Sequence, residues 1–166
     1  YDINTQQTVS DTVRVYLRSI NPPYNKVDSA VSVFNTSGFS SLEFHNVSND
    51  INYYINVVHR NSTDAWSKSG GQSFSSFVLN YDFTNDSSMT YGNNVIKKGA
   101  KFCFYSGDVD KDGAIDLTDL TLIDNLASSF TAGYLNSDLN YDLLTDITDL
   151  TIADNNAYNV VTVIKP

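Results

Sequence analysis

A single cysteine, Cys103, lies between Phe102 and Phe104. One thiol cannot close an internal disulfide, and in this apolar setting it reads as a small buried hydrophobe. Glutamate is equally scarce, Glu43 being the only one. A glycosidase-type carboxylate pair would therefore have to draw on aspartates such as Asp64 and Asp82. The two histidines, His45 and His59, stand in no spacing that matches a nucleophile elbow or a zinc site. Gly70-Gly71 reads as a turn rather than a phosphate loop. These absences point away from an enzyme. No run of 18 apolar residues exists, so no membrane-spanning helix is expected. Basic residues are outnumbered, ten against 19 acidic, and the net charge of −9 suits neither nucleic acid nor an anionic membrane face. No signal peptide is visible and the sequence opens on Tyr1 rather than Met; the expectation is a mature product, or a fragment, whose leader has been removed.

What is present falls into two textures. Up to residue 106 the chain reads as β-strands. Val13, Val15 and Leu17 alternate with Arg14, Tyr16 and Arg18. Ile51, Tyr53, Ile55 and Val57 alternate with Asn52, Tyr54, Asn56 and Val58. Period-two alternation of β-branched and aromatic residues marks half-buried strands. Further candidates are Val27–Phe34, Phe39–His45, Ser73–Phe83 and Val95–Tyr105, separated by turn-formers such as Asn21-Pro22-Pro23 and Gly92-Asn93-Asn94. No helical period precedes residue 117. Short strands at this spacing predict a mainly β fold, an antiparallel β-sandwich of jelly-roll or immunoglobulin-like type.

At Gly107 the pattern changes to loop, helix, linker, loop, helix. Eleven aspartates and one base, Lys111, fall between Gly107 and Ala157; elsewhere eight acids face nine bases. Carboxylates at this density repel unless a cation sits among them. A calcium loop of twelve residues presents oxygen at positions 1, 3, 5, 7, 9 and 12 and bends at a Gly in position 6. Residues 108–119 fit it: Asp108, Asp110, Asp112, Asp116 and Asp119 supply carboxylates, Ala114 a carbonyl, and Gly113 the bend. Ile115, at position 8, has the apolar character of a residue that pairs with the partner loop. Residues 138–149 repeat the pattern thirty residues on, with Asp138, Asn140, Asp142, Leu144 (carbonyl), Asp146 and Asp149. Leu143 replaces the expected Gly there. Each loop feeds a helix: Asp116–Ala127 reads DLTDLTLIDNLA and Asp146–Ala157 reads DITDLTIADNNA. The helical stripes are Leu117, Leu120, Ile123 and Ala127, then Ile147, Leu150, Ala153 and Ala157. Two calcium ions are expected.

A duplicated loop–helix unit with Asp in the twelfth position resembles a dockerin over residues 107–157. That family docks onto cohesin domains in secreted bacterial assemblies, often with Ser or Thr at loop positions 10 and 11. Here position 10 is Leu117 or Ile147. A second resemblance runs upstream, through Tyr53-Tyr54-Ile55, His59-Arg60-Asn61-Ser62, Trp66, Tyr81-Asp82-Phe83-Thr84, Tyr91-Gly92 and Tyr105-Ser106-Gly107-Asp108. It is similar to C-terminal regions of secreted bacterial surface proteins, in which a β-sandwich runs into a dockerin-like pair. The resemblance implies an extracellular or cell-surface protein of attachment or display, not catalysis.

The expected organisation is a sandwich over 1–106, a calcium module over 107–157 and a C-terminal strand over 158–166. The terminal run is apolar on both faces, and Val160, Val161, Val163 and Ile164 are candidate partner-binding residues. Such a strand can complete its own sandwich or enter a neighbour's; a head-to-tail homopolymer follows from the second. Tyr1–Val9 is a candidate second arm. The leading expectation is therefore a calcium-stabilised extracellular filament subunit. A dockerin-like module that binds a cohesin-like or other surface partner is the alternative. A carbohydrate-binding module comes third, with Tyr16, Tyr24, Tyr53, Tyr54 and Trp66 as stacking groups. Asn35, Asn46, Asn61 and Asn85 head Asn-x-Ser/Thr sequons that could carry glycans.

Overall fold

The computed structural model describes residues 10–166; the candidate arm at Tyr1–Val9 lies outside them. The chain forms a mainly β fold with antiparallel sheets and two α-helices. It divides into two compact units. The first comprises Tyr1–Val58, Asp64–Cys103 and Ile164–Pro166, and the second His59–Thr63 and Phe104–Val163. The division therefore falls at Cys103/Phe104 rather than after residue 106. Five residues from the middle of the β region belong with the acidic repeat.

In the first unit, strands β1 (Asp11–Ser19), β2 (Lys26–Phe34), β3 (Asn52–Val58) and β4 (Ala65–Trp66) lie in the order β2-β1-β3-β4, with β5 (Gln72–Ser73) also paired to β3. The alternation in β1 does what period two dictates: Val13, Val15 and Leu17 are buried, while Thr12 and Arg14 face solvent. Register places Val15 opposite Val57 and Leu17 opposite Ile55 on that buried face. β3 departs from the half-exposed expectation. Tyr53 through Val57 are all buried, because its second face is also covered by side chains. There Tyr54 packs edge-on against Tyr24, Trp66 and Tyr91. The Arg18 guanidinium lies 5.1 Å from the Trp66 ring and donates from Nε to Asn56 Oδ1 at 3.0 Å.

Two expected strands are not formed as read. Phe39–His45 is irregular. It is tied down by the Asp28 carboxylate, which accepts from the amides of His45 and Asn46. Ser73–Phe83 yields only β5 and turns. Val95–Tyr105 forms a hairpin of β6 (Ile96–Lys98) and β7 (Lys101–Cys103).

The second unit carries α1 (Leu117–Ala127) and α2 (Ile147–Tyr158). Val109, Ile123, Leu139 and Ala153 form its buried centre, with Leu120, Leu150 and Ile152 packed against it. Leu117 and Ile147, expected in the stripe, are instead 75% and 69% exposed. As the first residue of each helix they lie beyond the turn that faces the partner helix. The segment expected as strand 158–166 is also not a strand. Its one bridge pairs Thr162 with Ala114.

Candidate metal centre

Both helices begin with an Asp that caps its own first turn. Asp116 and Asp146 accept from the amides of Thr118 and Thr148 at 2.7 Å, and Asp119 and Asp149 reach back to the amides of Asp116 and Asp146. These reciprocal capping boxes explain why each loop must end in Asp-x-x-Asp. The same carboxylates also hold the loops. Asp119 Oδ1 accepts from Val109 and Asp110 (2.8 and 3.3 Å), and Asp149 Oδ1 accepts from Leu139 and Asn140 (2.7 and 3.1 Å).

Further round each loop, residue 3 accepts from the amide of residue 5: Asp112 to Asp110, and Asp142 to Asn140. Residue 5 accepts from residue 7: Ala114 to Asp112, and Leu144 to Asp142. Asp108 and Asp138 accept from Gly113 and Leu143 at position 6. Thus the two loops share one hydrogen-bond framework, displaced by thirty residues. It brings oxygens of Asp108, Asp110 and Asp112 within 4.8 Å of one another, a group that could hold a metal ion.

The donor set tests what such an ion must be. Every side-chain donor is a carboxylate or amide oxygen, which is the chemistry of hard cations. Asp108, Asp119, Asp138 and Asp149 are all buried. Burial pushes the carboxyls of Asp108, Asp119 and Asp149 above their ordinary range. For Asp108 this prevails over the pull of Lys111, whose Nζ is 3.4 Å from Oδ2; for the other two it prevails over the backbone amides they accept. Carboxylates withdrawn from water favour their charged form when hydrogen-bond donors or positive charge compensate them, and a cation would add the latter. Lys111 is the one base between Gly107 and Ala157.

The repeat extends beyond what sequence identity reveals. In the first loop, Ile115 donates to the Val161 carbonyl (2.9 Å) and Val163 donates to Gly113 (2.7 Å). In the second, Thr145 donates to Thr131 (2.8 Å) and Gly133 donates to Leu143 (2.8 Å). The bridges Ala114–Thr162 and Leu144–Ala132 match in the same way. Each loop is therefore closed by the segment that follows the other repeat's helix, and Ile115 pairs with Val161. No residue is shared between Thr131-Ala132-Gly133 and Val161-Thr162-Val163, so the equivalence was invisible in the sequence. Tail residues up to Val163 thus have a place within the second unit, with Val161 buried and Val160 exposed; Ile164, also exposed, belongs to the first unit.

Leu143 has a physical account on the same basis. It occupies a left-handed conformation, φ 68, as Gly113 does at φ 95. A side chain on Gly113 would meet Val163 Cγ1 at 2.9 Å. Its counterpart position opposite Leu143 is Gly133, which has no side chain. A side chain on Gly133 would meet nothing within 4 Å, so the second closure leaves open the space that Val163 fills in the first.

No protein-family model, curated protein or solved structure matches this chain. Of the remaining expected site residues, Trp66, Tyr53 and Tyr54 are buried in the first unit and offer no stacking platform. Asn35, Asn46 and Asn85 are exposed. Asn61 is fully buried, with Nδ2 donating to the Asp138 carbonyl at 2.9 Å; a glycan cannot be attached there in the folded chain.

Proposed function

We propose that this chain is an extracellular, non-catalytic docking protein whose duplicated acidic loops each hold one calcium ion. Asp108, Asp110, Asp112, Asp116 and Asp119, with the Ala114 carbonyl, hold the first. Asp138, Asn140, Asp142, Asp146 and Asp149, with the Leu144 carbonyl, hold the second. Bound calcium supplies positive charge to the buried carboxylates and locks the loops that start both helices. A role in docking is supported by one observation above all. Phe130 and Val160, the residues after each helix, are 73% and 77% exposed and take left-handed backbone at φ 47 and 53. The backbone holds that turn as a helix C-cap, Thr131 donating to Leu126 at 3.1 Å and Val161 to Asn156 at 3.3 Å, so the exposed apolar side chains are not needed to end either helix.

Val160 adjoins Val161, whose carbonyl bonds Ile115, two residues before exposed Leu117. Phe130 adjoins Thr131, whose carbonyl bonds Thr145, two residues before exposed Ile147. Leu117 and Val160 beside the first closure, and Ile147 and Phe130 beside the second, are thus exposed apolar residues at matched positions. Large exposed apolar groups at matched positions suit a protein partner. Self-assembly through a released tail is the less favoured reading, since the bonds of Val161 and Val163 to the first loop would have to break.

The test is surface binding of the full chain to cohesin domains, with calcium and with a chelator. Calcium-dependent binding that survives Leu117→Asp or Ile147→Asp alone and disappears in the double variant supports the reading. Absence of binding to every cohesin, together with calcium-dependent filaments that vanish on deletion of residues 160–166, refutes it in favour of self-assembly.

A further inference from the structure

Residues His59–Thr63 connect β3 to β4, yet belong to the metal unit. Their contacts converge on the first residue of each loop. The Asn61 carbonyl accepts from the amide of Gly107, which precedes Asp108, at 2.7 Å. The Asn61 side chain donates to the carbonyl of Asp138 at 2.9 Å. Arg60 donates to the carbonyls of Leu135 and Asp138, the latter at 3.3 Å. Thr63 donates to Tyr105 at 2.9 Å, and Ser62 bridges Ser106.

The fourth residues of the loops, Lys111 and Tyr141, share left-handed backbone at φ 64 and 67. Both reach the same connection. Lys111 Nζ donates to the Ser62 carbonyl. The Tyr141 ring lies 5.0 Å from the Arg60 guanidinium and 6.2 Å from the His59 ring. Tyr134 takes a further cation–π contact with Arg60, at 4.3 Å. Neither Arg60 nor Asn61 falls within the duplicated sequence, and neither is a ligand.

We propose that Asn61 and Arg60 are positioning residues for the metal of the second loop, and that residues 59–63 couple the two loops so that they fill cooperatively. This rests on the calcium reading above. A ligand residue whose main chain is fixed from outside the loop presents its carboxylate in one orientation. Here a single buried residue, Asn61, anchors the start of the first loop through its main-chain carbonyl and the start of the second through its side-chain amide. Metal in either loop fixes this connection and thereby orders the start of the other loop. The Asn61 amide is neutral and the Arg60 guanidinium cationic, and both donate to main-chain carbonyls, so they shape the site without taking the ligand carboxylates.

Calorimetric titration of the full chain with calcium tests this, in wild type, Asn61→Ala and Arg60→Ala. Asp138→Asn identifies the second site, and the emission of Trp66, the only tryptophan, monitors the sheet. Wild type is expected to fill two sites cooperatively. Asn61→Ala should lose the cooperativity and weaken the second site roughly 10–100-fold, the usual effect of removing an outer-shell partner. Arg60→Ala, a milder change at a part-exposed residue, should move in the same direction with wild-type Trp66 emission, and it carries the test if Asn61→Ala does not fold. Wild-type titrations from both folded variants, or from Arg60→Ala alone, overturn the positioning role and leave the calcium reading intact. A wild-type chain that takes up no calcium overturns the calcium reading and this coupling together.

Discussion

If Val163 fills the space that a side chain at Gly113 would need, the clash should be measurable as a coupling. Gly113→Ala places a Cβ 2.9 Å from Val163 Cγ1, on a backbone with φ 95. The left-handed conformation costs an alanine roughly 1–2 kcal/mol. Overpacking adds roughly 1–3 kcal/mol, taken near its lower end because Val163 is only half-buried. The β-branch makes that valine stiff about χ1, so the clash is not relieved by rotation alone. The single variant should therefore lose about 2–3 kcal/mol. Val163→Gly alone should lose about 1–2 kcal/mol, from lost burial and gained chain entropy. In the double variant, which copies the Leu143–Gly133 arrangement, the clash disappears while the backbone strain stays. It should be more stable than the sum of the singles predicts, by about 1 kcal/mol. Urea unfolding of the four chains in excess calcium gives the cycle. Additivity within about 0.3 kcal/mol, the behaviour of independent sites, would refute the complementarity argument.

Four further outcomes follow from the same structure. Leu143→Gly should stabilise the chain by about 0.5–1 kcal/mol, the left-handed strain relieved less the entropy of glycine; destabilisation in the same urea assay counts against the assigned conformation. Calcium at a hundred times its Kd should add about 2.7 kcal/mol per site. Magnesium should add less, because it demands a stricter octahedron; thermal melts with each ion and with chelator decide this. Trp66→Ala should cost about 3–5 kcal/mol, as for a core aromatic, since the ring is 6% exposed; wild-type stability with loss of glycan-array binding would instead favour a sugar site. Expression in a glycosylating host should leave Asn61 bare while Asn35, Asn46 and Asn85 remain open to modification, and peptide mass spectrometry reads each site.

The helices were legible because two signals coincide there. The ligand spacing and the capping aspartates both start the helix at the same residue, and α1 runs over Leu117–Ala127 as read. β1 was legible from alternation against one buried face, and β2 forms where Val27–Phe34 was expected although its Val31 and Val33 are exposed. β3 was legible as a strand but not in its second buried face, since burial of Tyr54 and Asn56 depends on an aromatic layer assembled from distant residues, Tyr24, Trp66 and Tyr91. Phe39–His45 carries apolar residues at strand-like intervals, but its amides are satisfied by the Asp28 side chain rather than by a neighbouring strand. The tail misled for a different reason. Pairing within a ladder uses backbone groups, so Val161–Val163 repeats Thr131–Gly133 in geometry while sharing no side chain. His59–Thr63 stood out in the sequence only through the upstream resemblance and its sequon, and the sequon pointed outward to a glycan when the asparagine in fact turns inward to Asp138.

Native mass spectrometry of the full chain, equilibrated with calcium and then stripped by chelator, tests the central claim most directly. Two bound ions per chain are predicted, one lost in Asp108→Asn and the other in Asp138→Asn, with none in the double variant. A calcium-saturated chain that carries no ion, or whose ions are indifferent to both substitutions, contradicts the account.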